Sequence, residues 1–257
     1  MMSTNNQENL LFSIKKIIPT EVKRSLKIKS RYIGDILTGK AQIMVDFIPM
    51  KEMDKYQFQP QISISQVIKT TSHSENKKHN LALAINRLEN IVIPSGKLFS
   101  FWHLVGNPNY KNGYKEGRTI INNQLQSDIG GGLCQLSGLI YWLILKAGLV
   151  PTERHPHTHD IYTELTRFAP LGSDATVVYG YKDLRFINSL PVPICWQFQL
   201  LPTEIIASLC STQKINQFEI EFRREEGSNE QRIVHTVRLA QGKEEIIDTS
   251  YYLIMNN

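Results

Sequence analysis

Gly130-Gly131-Gly132 is followed by Leu133-Cys134-Gln135-Leu136-Ser137 and then by an apolar run from Gly138 to Gly148. Three residues without a Cβ let the backbone turn sharply and lie close to another group, and the cysteine falls at the start of the predicted helix. Apolar residues cover nearly the whole circumference of that helix, so it is expected to be buried on most sides, against a sheet. A helix start is also where a thiolate is stabilised. Unpaired N–H groups and the positive end of the helix dipole lower a thiol pKa there and offer donors to an oxyanion.

Beyond the helix, Glu153-Arg154-His155-Pro156-His157-Thr158-His159-Asp160 gathers three imidazoles and two carboxylates in one short segment. A helix of about 14 residues is roughly 21 Å long, and the roughly 7 to 11 residues from Gly148 to the histidines span at most about 23 to 40 Å. His155 would reach the cysteine only along a nearly straight path, whereas His157 and His159 have slack.

A chain of 257 residues with 41% hydrophobic content can build a core without staples, as one large domain or a domain with a small appendage. Cys134, Cys195 and Cys210 form no CxxC pair. That spacing argues against a disulfide framework and a structural zinc site, and Cys195 and Cys210 read as structural. Residues 1–40 hold eight Lys or Arg against three Asp or Glu, which accounts for the whole net charge of +5, so no general nucleic-acid surface is expected. No apolar run approaches the roughly 18 residues of a membrane span, and the N-terminus lacks the ordered regions of a secretory signal; a cytoplasmic location is expected. Between Leu11 and Leu37, apolar residues recur among lysines at loosely helical spacing, split by Pro19, with Thr20 as the N-cap of a second basic helix. Such a helix either lies on an anionic membrane surface or packs on the domain as a solvated helix.

The remaining pattern is mixed. Ile62 to Ser65 alternates as a strand, Asn80 to Asn90 carries a helical apolar face, and Ile91 to Ile93 reads as a strand ending in a turn. Lys97 to His103, dense in aromatics, reads as a buried strand, and the loop from Gly106 to Tyr114 as one wall of a site. Asp174–Tyr181, Lys182–Asn188 and Pro193–Phe198 read as three successive strands; segments 219–224, 232–239 and 245–253 complete a β-meander. The fold class is therefore α+β: a buried Cys-bearing helix packed on an antiparallel sheet, with a basic N-terminal helical extension over residues 1–50 and the main domain over 51–257.

Phe99-Ser100-Phe101, Val105-Gly106, Gly113-Tyr114, Gly130 to Ser137, Arg154-His155-Pro156-His157, Asp174-Ala175-Thr176-Val177 and Tyr181 to Phe186 together resemble the VanW family, over a motif core of about residues 75–200. The family takes its name from a protein encoded with glycopeptide-resistance genes. Many relatives place a membrane anchor or cell-wall-associated modules ahead of this domain, where this chain has a short basic extension. His155 and His157 fall inside the family's motif and His159 does not. More loosely, a cysteine opening a buried helix ahead of a histidine and an antiparallel sheet resembles the papain-like thiol superfamily, including transglutaminase-like and NlpC-type peptidases.

These residues support three readings. In the first, Cys134 is a nucleophile, His157 or His155 its base, and Asp174 or Asp183 the orienting acid, with Gln135 or the glycine-loop amides on an oxyanion. The reaction is then acyl transfer on a small peptide or cell-wall precursor, and it calls for no cofactor. In the second, His155, His157, His159 and Cys134 hold zinc or iron. In the third, the domain is a non-enzymatic envelope-binding module: Trp102 and its aromatic neighbours receive a glycan or peptide, and Arg118, Arg154 and Arg185 either clamp a carboxylate or pair with nearby acids.

Overall fold

The computed structural model of the chain describes residues 19–47, 56–89, 91–121, 124–160, 167–225, 231–240 and 242–254. The part of the basic segment before Pro19 and residues 226–230, between two of the expected meander strands, lie outside these residues. Helix α1 spans Thr20–Leu37. Thr20 is its first residue rather than its cap: Pro19 takes the cap position with φ −55° and ψ 145°, and its carbonyl accepts from the Lys23 N–H at 3.1 Å. Proline is suited to this place, because its fixed φ is already helical and it has no N–H to leave unpaired. A short α2, Lys40–Ile43, follows. Val45 then donates its N–H to Leu98 O at 2.9 Å, tying this N-terminal part to the main domain.

Strand β1, Gln59–Val67, alternates exposed and buried residues, with Ile62, Ile64 and Gln66 turned inward. Helix α3, Ser74–Leu88, begins earlier than its apolar face because its first turns, Ser74 to His79, are polar. Strands β2 (Val92–Ile93) and β3 (Leu98–Ser100) come next. The expected aromatic strand from Lys97 to His103 ends early: Phe101–Val105 forms helix α4, capped by Ser100, whose Oγ accepts from the His103 N–H at 3.3 Å. Strands β4 (Glu116–Ile121) and β5 (Gln124–Ile129) make a hairpin that delivers the chain to the glycines and to α5, Leu133–Lys146.

After α5 come β6 (Pro151–Glu153), β7 (His159–Asp160), β8 (Arg185–Ile187), β9 (Ile194–Leu200) and β10 (Glu204–Ser211). The segment read as a strand from Asp174 to Tyr181 is instead irregular, with one bridge between Val178 and Lys182. Strands β11 (Glu219–Glu225), β12 (Gln231–Ala240) and β13 (Lys243–Ile254) form the antiparallel meander. The sheets run β1-β10-β9-β2, β11-β12-β13-β7, β3-β8-β6 and β4-β5. Helix α5 packs on β1 and β10 on one side and β11 on another, with Leu136, Leu139, Ile140 and Leu143 fully buried. Burial on several sides explains why its sequence has no polar face. The fold is α+β, and all three cysteines are free. Among the described residues, no helix is long and apolar enough to cross a membrane.

Candidate active site

The glycine loop is a fixed structure. Gly130 and Gly132 have φ of +86° and +105°, conformations that side chains disfavour. A Cβ on Gly117 of β4 would sit 2.9 Å from the Gly131 Cα, so two backbones touch there. Buried Asn80 of α3 locks the loop: its Nδ2 donates to Gly131 O at 3.1 Å and Lys115 O at 2.9 Å, and its Oδ1 accepts from the Lys115 N–H at 2.8 Å. This places Cys134 in the first turn of α5, where backbone N–H groups have no partner within the helix. The residue is partly exposed, and its thiol donates to Val177 O at 3.7 Å.

Strand β6 carries the chain back from the far end of α5, and the His155 carbonyl accepts from the Thr176 N–H at 2.7 Å, which aligns the two segments. Asp174 Oδ2 accepts from the His157 backbone N–H at 2.6 Å and meets its ring Nδ1 at 2.7 Å. With Nδ1 engaged, Nε2 is the ring nitrogen left to act on the Cys134 thiol, and the charges of the two groups influence each other. The structure thus pairs His157 with Asp174 and sets the ring close enough to Cys134 for their charges to interact, from three separate segments.

Asp174 is held from behind. Its Oδ1 accepts from the Tyr252 hydroxyl at 2.5 Å and from Arg154 at 3.3 Å, while Arg154 Nε donates to the Asp174 carbonyl at 2.8 Å. The Arg154 side chain, 3% exposed, also donates to Gly172 O at 2.9 Å, to Asp248 at 3.0 Å and to Ser250, and lies 4.8 Å over the Tyr141 ring. Strand β13 therefore buttresses the acid through Asp248, Ser250 and Tyr252. These partners lie 74 to 78 residues from Asp174 in sequence, and no local pattern announces them.

Electrostatics follow the geometry. Burial alone would lower the His157 pKa, but the hydrogen bonds to Asp174 and Cys134 and their charges override it and raise the ring to about 10. Burial would raise the Cys134 thiol, yet the bond to His157 and its charge prevail and pull it below an ordinary cysteine. For Asp174, burial is likewise outweighed, by His157, Arg154 and Tyr252, which hold its carboxyl well below the usual range. The arrangement favours a thiolate beside an imidazolium. Burial, with help from Lys69, lowers Lys77 to about 8. Its stem lies over the loop, since a Cβ on Gly132 would sit 2.7 Å from the Lys77 Cγ. The sequence reading did not single out Lys77 or Asn80.

The other candidates lie elsewhere. His155 Nε2 faces Glu153 Oε1 at 3.1 Å, and His159 sits in β7 beside Leu253. The three imidazoles diverge, and among the described residues no group of three or more His, Cys, Asp or Glu could hold a metal ion. Asp183 accepts from Ser100 Oγ at 2.6 Å, the Trp102 N–H at 3.1 Å and Arg185 Nε at 2.8 Å, fixing the start of α4. Gln135 is buried and donates to Val67 O at 3.1 Å. Trp102, Asp183 and Arg185 line a cleft of about 260 Å³ beneath α1, whose lining includes neither Cys134 nor His157. Arg185 binds Asp35 at 2.8 Å, so the guanidiniums of Arg154 and Arg185 are both directed at acids of the chain itself. Arg118 lies on β4, and its side chain is outside the described residues.

Residues 76–210 match the family model described as VanW like protein. The chain is 33% identical over 183 residues to the Vancomycin B-type resistance protein VanW of Enterococcus faecalis, a match covering 68% of this chain and 66% of that protein. It is 32% identical over 145 residues to the uncharacterized protein YoaR of Bacillus subtilis, covering 56% of this chain and 46% of the relative. The chain thus spans just under two thirds and just under half of these two relatives. No solved structure matches it. Cys134, His157 and Asp174 all fall inside the family match, while α1 and β13 fall outside it. With more than half of its length under the family model, and a relative at 33% identity across 68% of it, the chain belongs to the VanW family.

Proposed function

We propose that the protein is a cysteine-dependent acyl-transfer enzyme, an amidase, peptidase or transpeptidase. Cys134 is the nucleophile, His157 the acid–base group and Asp174 the orienting acid. The observation that supports this reading is the His157 imidazole hydrogen-bonded to an Asp174 carboxylate that Arg154 and Tyr252 fix, with a charge that draws the Cys134 thiol toward its ionised form. The Cys134 thiolate attacks an acyl carbonyl, forming a C–S bond as the carbonyl π pair moves to oxygen. The Cys134 N–H in the first turn of α5 faces the oxyanion, since those of Leu133 and Gln135 already donate to Gly130 and Gly132. As the intermediate collapses, the C–N bond breaks, the amine takes a proton from His157 Nε2, and a thioester remains. Water or a second amine then attacks the thioester and gives its proton to His157, and Sγ leaves as the thiolate. The substrate is a small peptide or cell-wall precursor, in keeping with the vancomycin resistance in the enterococcal relative's name.

The test is the reactivity of Cys134. Alkylation by iodoacetamide at neutral pH, read for the Cys134 peptide by mass spectrometry, should outpace that of a free thiol, and Cys134→Ala should abolish turnover of peptide amides. A rate no faster than that of free cysteine would overturn the proposal, because the ion pair is what supplies the nucleophile.

A further inference from the structure

Helix α1 packs on the domain with the opposite face from the one an amphipathic helix ordinarily buries. Its inward side carries Arg24, Ile28, Arg31 and Asp35. Arg31 donates to Glu153 at 2.6 Å, Asp35 accepts from Arg185 at 2.8 Å, and a Cβ on Gly180 would meet Ile28 Cγ1 at 3.0 Å. The outward side carries Val22, Leu26, Ile33, Ile36 and Leu37. Leu37 is 80% exposed, Leu26 56% and Ile33 55%. At 100° per residue, Val22, Leu26, Ile33 and Leu37 fall within about 60° of one another, so they form one stripe and not a scatter. Lys29 and Lys23 flank that stripe on either side, about 20° and 40° beyond its edges, while the helix's Asp35 is turned inward and its Glu21 is paired with Arg24.

We propose that α1 is a peripheral docking element for an anionic lipid surface, its apolar stripe entering the headgroup boundary and its lysines meeting the lipid charge. Charge complementarity selects this occupant. A second copy of the chain would bring the same lysines against themselves, whereas an anionic bilayer attracts each of them, and their methylene stems cover apolar surface as the amines reach the headgroups. The ion pairs of the inward face clamp α1 to Glu153, at the end of the strand that leads to His157. Docking would therefore also set how far the Cys134 site stands from the membrane. The inference does not depend on the site being catalytic.

The experiment is sedimentation of the purified full chain with vesicles of phosphatidylcholine alone, or of phosphatidylcholine with phosphatidylglycerol. Wild type is expected to bind the anionic vesicles at least tenfold more than the neutral ones, and 0.5 M salt should weaken that binding. Lys23→Glu with Lys29→Glu should cut binding to anionic vesicles by more than tenfold, as should Leu26→Asp with Ile33→Asp; circular dichroism reports whether each variant is folded. A chain that fails to bind anionic vesicles at low salt overturns the proposal, as does a dimer in light scattering that Leu26→Asp with Ile33→Asp dissociates. Binding that is equal on neutral and anionic vesicles and indifferent to salt also overturns it, since the lysines would then have no part.

Discussion

Replacing Asp174 with Asn tests what holds the imidazole charged. Asn keeps the shape of the side chain but cannot offer His157 Nδ1 an ionic acceptor, and Arg154 loses one counter-charge. A ring at about 10 in place of 6.5 has its protonated form favoured by roughly 4–5 kcal/mol, at 1.36 kcal/mol per tenfold. Part of that comes from the thiolate, but Asp174 contributes the larger hydrogen-bonding effect. Two effects then oppose each other at Cys134. Losing the carboxylate removes a repulsion that raises the thiol pKa, while losing the imidazolium removes the attraction that lowers it. His157 acts on the thiol more strongly than Asp174 does, so the net direction is upward. The pH profile of Cys134 alkylation should shift to higher pH, and on the rising limb of the profile, below the thiol pKa, the rate should fall by about tenfold for each step of one in that pKa. Peptide-level mass spectrometry keeps buried Cys195 and Cys210 out of the reading. An unmoved profile in a folded Asp174→Asn variant would refute the reasoning, because the imidazolium would then owe nothing to the acid.

Asn80→Ala removes three hydrogen bonds from a fully buried position and leaves Gly131 O and the Lys115 backbone without their partners; a loss of roughly 2–4 kcal/mol in denaturant unfolding is expected. Gly132→Ala places a Cβ at φ +105° and 2.7 Å from the Lys77 Cγ, and should destabilise the fold by about 1–3 kcal/mol in the same assay. Cys134→Ser should alter the pH dependence of stability. Between the lowered thiol pKa and about 9, the native pair carries its proton on His157 and the unfolded chain carries it on the thiol, so in wild type the two contributions cancel. In the serine variant only the raised His157 remains: its contribution is full below 6.5 and is lost as pH rises through the native value, so thermal midpoints should fall with pH where those of wild type stay level.

The sequence was most legible where one constraint acted alone. The all-round apolar pattern of α5 left burial as the only outcome, and the triple glycine marked a backbone contact that Gly117 and Asn80 complete. Lys97 to His103 misled because aromatic residues suit a strand, while Ser100, able to cap a helix and held by Asp183, decided otherwise. Asp174 to Tyr181 has strand composition, yet Asp174 turns its side chain to the His157 N–H and ring. Between His155 and His157 the sequence offered only the reach of the chain, which leaves His157 more slack, and between Asp174 and Asp183 it offered no physical ground. The choice depends on Arg154, Asp248 and Tyr252, which meet only after β13 folds against the loop at Gly172. For α1 the amphipathic pattern was visible, but its direction was not, because the ion pairs that orient it reach Glu153 and Arg185, more than a hundred residues away.

Cys134, His157, Asp174, Arg154 and Asp248 form a string in which the sign of charge alternates from one neighbour to the next. Such a string is a poor device for stability, because withdrawing each ion from water costs about what its partner returns, and well-packed apolar side chains often do as well. Removing a single member is a different matter, since it strands the charge beside it. Arg154, with Nε and both Nη atoms bonded and an aromatic ring beneath it, is therefore best understood through what it does to Asp174. It stabilises the ionised carboxylate at a site where burial favours the neutral acid, and the ionised carboxylate in turn keeps His157 protonated beside the sulfur. The alternation starts at Cys134, a partly exposed residue, and ends in the support of β13, so the charge that the fold works to maintain is held at the sulfur rather than deep in the core.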